Sequence, residues 1–207
     1  AINKNIFTHQ LSPPYKFLLI GAGEVARYVA QMALALEYEI TLCDPRTQYV
    51  ENWHVEGVTV TSEMPDDVVR KNFSHKYAAI IALAHDPRVD DMALMEALKT
   101  KAFYVGAMGS EKTSLKRRER LPELGLTAKE INKLHAPVGL SIGSKTPAEI
   151  AISILSELTA VRTKTARTMT SQSDTPDLSA PSLKASNLKT SNLKIGTQNI
   201  IQSRAAW

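Results

Sequence analysis

LLIGAGEVA, residues 18–26, carries an apolar run through a glycine turn and directly into a helix. Residues 17–20 are all apolar and the run stops at Gly21. Val25, Tyr28, Val29, Met32 and Leu36 then recur at helical spacing across 24–36. Gly21 allows the tight turn, and Gly23 lets backbone approach a phosphate with no Cβ in the way. Ala26, standing where a third glycine is common, is small enough for close helix–sheet packing. The N–H groups around Ala22, Gly23 and Glu24 would then face an anion, helped by the positive end of the helix dipole. G-x-G-x-x-A is a weak signal alone. Here it follows a strand, opens an amphipathic helix and is answered by Asp44 at the end of the second strand, which together read as a nucleotide-phosphate site. Asp44 is expected to accept hydrogen bonds from a ribose diol, with a turn role ahead of Pro45 as the alternative. Arg46 lies close enough to meet a phosphate instead, so the nucleotide stays open.

Working outward, short β-rich runs at 40–43, 58–61, 78–84 and 103–105 alternate with helical stretches at 65–71, 89–98, 111–120 and 127–134. A last helix is announced by Thr146-Pro147-Ala148-Glu149, with an N-cap threonine, proline at the first helical position and glutamate three residues after the cap. The near-continuous apolar run 78–84 suits a strand covered on both faces. This alternation predicts an α/β fold: a Rossmann-like, doubly wound parallel sheet with helices on both faces. The end of the first helix offers Glu37 where a glycine would be favoured, a local cost.

The composition shifts near Thr163 to Ser, Thr, Asn and Lys, with a short repeat LKASN-LKTSN-LK at 183–194. The organisation expected is a linker over 1–15, a Rossmann-like domain over 16–162, and a basic low-complexity tail over 163–207 that is disordered because it cannot bury enough apolar surface. From Arg162 onward there are seven basic and two acidic residues, which leaves 18 basic and 19 acidic before it. The net charge of +4 therefore belongs to the tail. With no general basic face, nucleic acid is not an expected partner. No apolar run reaches the ~18 residues of a membrane helix, and residues 1–16 lack a signal-peptide core. Cys43 is the only cysteine, which fits a reducing cytoplasm. The opening at Ala1 and the Pro13-Pro14 pair suggest a piece of a longer polypeptide.

Three further segments carry candidate chemistry. His85 and Asp86 emerge at the end of the fourth strand, where ligands bind in open α/β sheets. His85 would move a proton or bind a polar edge, unless Asp86 or Asp90 caps the next helix and His85 packs locally. VGAMGS, 105–110, places Gly106, Gly109 and Ser110 in a backbone-rich turn suited to an anion, with Lys112 nearby. GLSIGSKTPAE, 139–149, sets Gly143, Ser144, Lys145 and Thr146 before a helix as a second phosphate cradle, without P-loop spacing. Lys116-Arg117-Arg118-Glu119-Arg120 is read first as a solvated helix face. Trp53 and His54 are uninformative, and His9, His75 and His135 are too isolated to be metal ligands, so no metal site is expected.

GAGEVARYVAQMA (21–33), CDPR (43–46), ALAHDPRVDDMALMEAL (82–98), FYVGAMGS (103–110) with the following KRRERL, and HAPVGLSIGSKTPAEIAISILSEL (135–158) stand in this order. Together they resemble the C-terminal Rossmann domain of the xanthine dehydrogenase accessory proteins, the XdhC/CoxI family, over residues 15–162. The resemblance implies a maturation factor more than a catalyst. It would bind molybdenum cofactor, as molybdopterin or its dinucleotide form, protect it during sulfuration, and deliver it to an apo xanthine dehydrogenase-type molybdenum hydroxylase. A cysteine desulfurase joins the partners so implied. It further implies that the 106–110 and 143–146 loops line one crevice. Members usually carry an N-terminal domain with a cysteine-containing motif, which Cys43 does not match, so the chain is expected to be one half of a working protein. An NAD(P)-dependent oxidoreductase and a docking module without catalysis are the alternatives. Parallel-sheet proteins of this size often pair, so a homodimer is compatible, with no segment that locates its interface.

Overall fold

Alternation along the first strand sets the two faces of the sheet. In β1 (Lys16–Ile20), Phe17 and Leu19 join one core while Leu18 and Ile20 join the other. β1 pairs in parallel with β2 (Glu39–Cys43) on one side and with β4 (Ala78–Ala82) on the other. β3 (Thr59–Thr61) lies outside β2, while β5 (Tyr104–Ala107) and β6 (Leu134–His135) follow β4. The order β3-β2-β1-β4-β5-β6 is the all-parallel, doubly wound Rossmann arrangement expected from the sequence, with its switch point between β1 and β4. The computed structural model describes residues 13–173.

One face is covered by α1 (Glu24–Leu34) and α7 (Pro147–Ser173), whose small residues Ala26, Ala30, Ala33 and Ala151 let the helices lie close. The other is covered by α3 (Pro65–Asn72) and α4 (Pro87–Ala97), with Val68, Phe73, Ala93 and Leu94 packed on Leu18, Ile20 and Ile80. α5 (Glu111–Arg120) and α6 (Ala128–Ile131) complete this side through Leu121 and Ile131. α1 ends as its sequence suggested: Glu37 takes the left-handed conformation at φ +62°, with the Tyr38 and Glu37 amides donating to the Ala33 and Leu34 carbonyls. None of the described helices is long and apolar enough to cross a membrane.

Three differences from the expected elements have physical reasons. α2 (Thr47–Val50) is a single turn, too short for any periodicity to reveal. The helix expected over 127–134 opens on a capping box between Thr127 and Glu130 and stops at Ile131 after one turn, its last carbonyls being taken up from another segment. Arg118 then donates to the Ile131 and Leu134 carbonyls at 3.0 and 2.7 Å, and Leu134–His135 runs on as β6 beside Val105 and Gly106. Residues 163–173, placed in the tail by composition, are the last turns of α7. The rest of that tail, 174–207, and the expected linker up to residue 12 lie outside the described residues.

Candidate functional site

The strands' carboxyl ends bring the glycine turn, the end of β2 and the ends of β4 and β5 to one edge. Gly21 has φ +105°, and a Cβ there would stand 2.4 Å from the Ala84 Cα, so only glycine lets the turn rest on the end of β4. Gly23 is different. It is exposed, caps α1 without a side-chain hydrogen bond, and a Cβ on it would meet nothing within 4 Å. The first-turn amides of α1 therefore have no side-chain acceptor beside open space. Trp53, buried and uninformative in sequence, buttresses the turn by donating its indole N–H to the Gly23 carbonyl at 3.4 Å. Ala22 and Glu24 belong to the same turn, Glu24 pairing loosely with Arg27 at 3.4 Å.

Asp44 is fully buried and already engaged. One oxygen accepts the Ala22 amide at 2.9 Å and the Arg46 Nη2 at 2.7 Å; the other accepts the Arg46 amide and Nε at 3.1 and 2.8 Å. Burial would raise its carboxyl, but these hydrogen bonds and the guanidinium charge prevail and hold it below the ordinary carboxylate range. Arg46 also lies 4.2 Å from the Tyr49 ring centre. In this arrangement Asp44 orients the turn and Arg46, and offers neither oxygen to a sugar diol. Cys43, one residue before, donates to the Glu63 carbonyl at 3.3 Å. Its thiol is pushed up to about 12 by burial first and neighbouring carboxylates second, so it stays protonated.

A cleft of ≈ 820 Å³ opens at the same edge, at the ends of β4 and β5, and no residue of the Gly21–Glu24 turn lines it. His85, exposed and left-handed at φ +56°, stands on one side, with Gly109 and Ser110 at the start of α5. The Ser110 hydroxyl accepts the Thr113 amide at 3.2 Å and caps α5. The opposite wall is the loop from Pro137 to Ser144, Gly143 included. The two glycine loops thus share one crevice as far as Ser144. Lys145 and Thr146 fall outside its lining, and their amides donate to the Glu149 carboxylate at 2.7 and 2.9 Å as the cap of α7. Gly106 lies beneath, where a Cβ would come within 2.7 Å of Val138 Cγ2, so its role is to let the cleft wall rest on β5. Asp86 caps α4 by accepting the Arg88 amide at 3.0 Å, while Asp90 turns inward.

The basic cluster is not the solvated face expected from its composition. Lys116 and Glu119 are exposed, but Arg117 is buried and Arg118 and Arg120 half-buried. Arg117 donates to Asp90 Oδ2 at 3.1 Å, Asp91 Oδ1 at 3.2 Å and the Met108 carbonyl at 3.2 Å. Arg120 closes on the second Asp91 oxygen at 2.7 Å. Burial pushes Asp90 up to about 6, against the pull of Arg117 and the Ala84 amide. Between its ordinary value of 3.8 and about 6, the folded chain holds a proton that the unfolded chain has released. Asp90's contribution to stability therefore falls as pH rises through that window. Urea unfolding at stepped pH checks this. From pH 4 to pH 7, Asp90→Asn is expected to gain on the wild type by on the order of 1–3 kcal/mol, whereas a difference constant with pH contradicts it.

A second network fixes the far wall. Glu157 on α7 accepts the Tyr104 hydroxyl and the Gly139 amide at 2.8 Å through one oxygen, and its other oxygen hydrogen-bonds with His135 Nδ1 at 2.9 Å. The His135 ring stacks on Tyr104 with centres 4.5 Å apart. Burial raises the Glu157 carboxyl, yet the hydrogen bonds from Tyr104, His135 and Gly139 outweigh it and hold it below the ordinary range. His135, isolated in the sequence, is joined to this network.

A family model described as the XdhC Rossmann domain matches residues 17–158, which hold every strand of this edge except the start of β1. The chain belongs to the XdhC Rossmann domain family. It is 31% identical over 174 residues to protein YqeB of Escherichia coli K12, covering 78% of this chain and 30% of YqeB. It is 27% identical over 160 residues to the molybdenum cofactor insertion chaperone PaoD of the same organism, covering 77% of this chain and 44% of PaoD. The XdhC-type chain thus spans less than half the length of these relatives. A solved structure of a xanthine dehydrogenase from Bacillus halodurans matches with a TM-score of 0.65 at 26% identity, over 84% of this chain and 52% of that one.

Proposed function

We propose that the chain acts as a maturation factor for a molybdenum hydroxylase. It binds molybdenum cofactor at the carboxyl edge of the sheet, shields it during sulfuration by a cysteine desulfurase, and passes it to a xanthine dehydrogenase-type enzyme. The observation that carries this is the uncapped turn at Gly23, open where a Cβ would project, at the same carboxyl edge of the sheet as a cleft of ≈ 820 Å³. Molybdopterin carries a phosphate and its dinucleotide form a pyrophosphate, ribose and base. A helix start with no side-chain acceptor suits the anionic end, and the cleft volume lies within the roughly 300–1,000 Å³ of small-molecule sites. The amides at Gly23 and Glu24 would take the phosphate, with Ser110, His85 and the Pro137–Ser144 wall around the remainder. Once inserted in its client, the cofactor supplies the molybdenum chemistry; this chain's residues bind, orient and shield it. Two similar proteins support the reading: PaoD is named a molybdenum cofactor insertion chaperone, and the Bacillus halodurans protein a xanthine dehydrogenase.

The NAD(P)-dependent alternative needs a carboxylate free for the ribose, and both Asp44 oxygens are held by Arg46 and Ala22. Equilibrium binding to the full chain tests the choice. Saturable binding of molybdenum cofactor that NADH and NADPH do not displace is expected. Binding of NADH or NADPH alone would overturn the reading in favour of an oxidoreductase, and no binding of any would leave a docking module.

A further inference from the structure

We propose that the Asp90–Arg117 ion pair is the positioning element of the cleft, fixing the two strand-end segments at His85 and Gly109 between which a ligand sits; the ligand's identity rests on the cofactor-binding reading above. The pair reaches both segments at once. Asp90, in the first turn of α4, accepts the Ala84 amide at 3.0 Å, immediately before left-handed His85. Arg117, on α5, donates to the Met108 carbonyl at 3.2 Å, immediately before Gly109 with φ +153°. The two side chains meet at 3.1 Å and are 1% and 3% exposed. Both also line the cleft floor.

The chemistry is unusual for a mere core contact. Asp90, Asp91 and Arg117 are buried together, with Arg120 at the edge. Taking such charges out of water is expensive, and apolar residues of similar volume are often as stabilising or more so. What apolar residues cannot do is hold an amide on one strand end and a carbonyl on the next. Left-handed backbone at a residue other than glycine persists only where its surroundings enforce it, and at His85 the pinned Ala84 amide does this. Asp90 and Arg117 are thus positioning residues, acting through the backbone on either side of the cleft. The motif pieces VDD (89–91) and KRRER (116–120) are separated in sequence and joined by this pair together with the Arg117–Asp91 and Arg120–Asp91 contacts.

The test compares the full wild-type chain with the apolar double variant Asp90→Leu/Arg117→Met and the conservative Asp90→Asn. Three quantities are read: melting temperature, amide hydrogen exchange by segment, and affinity for molybdenum cofactor. The double variant is expected to melt within about 5 °C of wild type. Its amides at 84–85 and 108–110 should exchange at least about tenfold faster while β1 and α1 keep their protection. Its dissociation constant should rise at least about tenfold. Asp90→Asn, which keeps an acceptor for the Ala84 amide, should retain protection at 84–85 and most of the affinity. Unchanged exchange and affinity in the double variant would overturn the proposal, as would loosening spread evenly over the whole sheet. If the double variant does not fold, Asp90→Ala, which removes the acceptor of the Ala84 amide, decides: faster exchange at 84–85 with an otherwise intact sheet and weakened affinity supports positioning, while unchanged protection at 84–85 overturns it. A wild-type chain that binds no cofactor defeats the cofactor reading, while the exchange comparison still decides the positioning role.

Discussion

Gly21→Ala is expected to lower the melting temperature by about 10 °C or more, or to prevent folding. Two effects add. The backbone has φ +105°, a conformation that costs a residue other than glycine ~1–3 kcal/mol. The added methyl would stand 2.4 and 2.5 Å from the Ala84 Cα and N, both backbone atoms. No rotamer change relieves that, so the end of β1 must part from the end of β4. Overpacking of this kind costs ~1–3 kcal/mol or more, and native domains hold only ~5–15 kcal/mol in all. Circular dichroism melting checks it. A loss under about 2 °C would contradict the steric explanation. Gly23→Ala is the control, since its Cβ would meet nothing within 4 Å.

Glu157→Ala is expected to destabilise the fold by about 3–5 kcal/mol, because it strands several partners at once. The Tyr104 hydroxyl is buried and the Gly139 amide half-buried, and both lose their acceptor; His135 loses its hydrogen-bond partner. Glu157→Gln keeps an acceptor for Tyr104 and Gly139 and is expected to cost about a third as much. Denaturant unfolding of both variants separates lost hydrogen bonding from lost charge. The sign with pH follows from a carboxyl held below its ordinary value. Its contribution is complete above the unfolded carboxyl's range and is lost as pH falls through the folded one. Glu157→Gln should remove that acid-side decline. Equal losses in the two variants would contradict the assignment of the effect to hydrogen bonding.

The elements legible in the sequence are those whose cause is local. Phe17–Ile20 ends at Gly21 because the turn needs a positive φ there, and Thr146-Pro147 opens α7 through contacts within four residues. β6 was not legible, because two residues carry no period and its place depends on Arg118 holding two carbonyls from another segment. The same division runs through the candidate site. Gly21 and Gly23 could be singled out from backbone demands alone. Asp44 could not be resolved, since a ribose ligand and a partner of Arg46 look alike before the side chains are placed. Arg117 and Lys116 are neighbours of the same charge, and only the packing of α5 on α4 buries one and exposes the other. Glu157 and His135, 22 residues apart, meet only once α7 lies against β6. Trp53 carried no period or motif, so its support of the Gly23 carbonyl had no signal to find.

Cofactor binding at the Gly23 turn is decided by a side-by-side titration of molybdenum cofactor into wild type, Gly23→Asp and Ile142→Asp, with melting temperatures taken in parallel. Gly23 is the N-cap of α1, and aspartate is a favoured N-cap, better than glycine by about a few tenths of a kcal/mol. The same carboxylate would take the amides meant for the phosphate and repel it. Ile142 lines the cleft and is 55% exposed, so a charge there leaves the core untouched. Stability should be held or raised in Gly23→Asp and held in Ile142→Asp, with affinity lowered at least about a hundredfold in both. Wild-type affinity retained in both variants would place the cofactor elsewhere and contradict binding at this edge of the sheet.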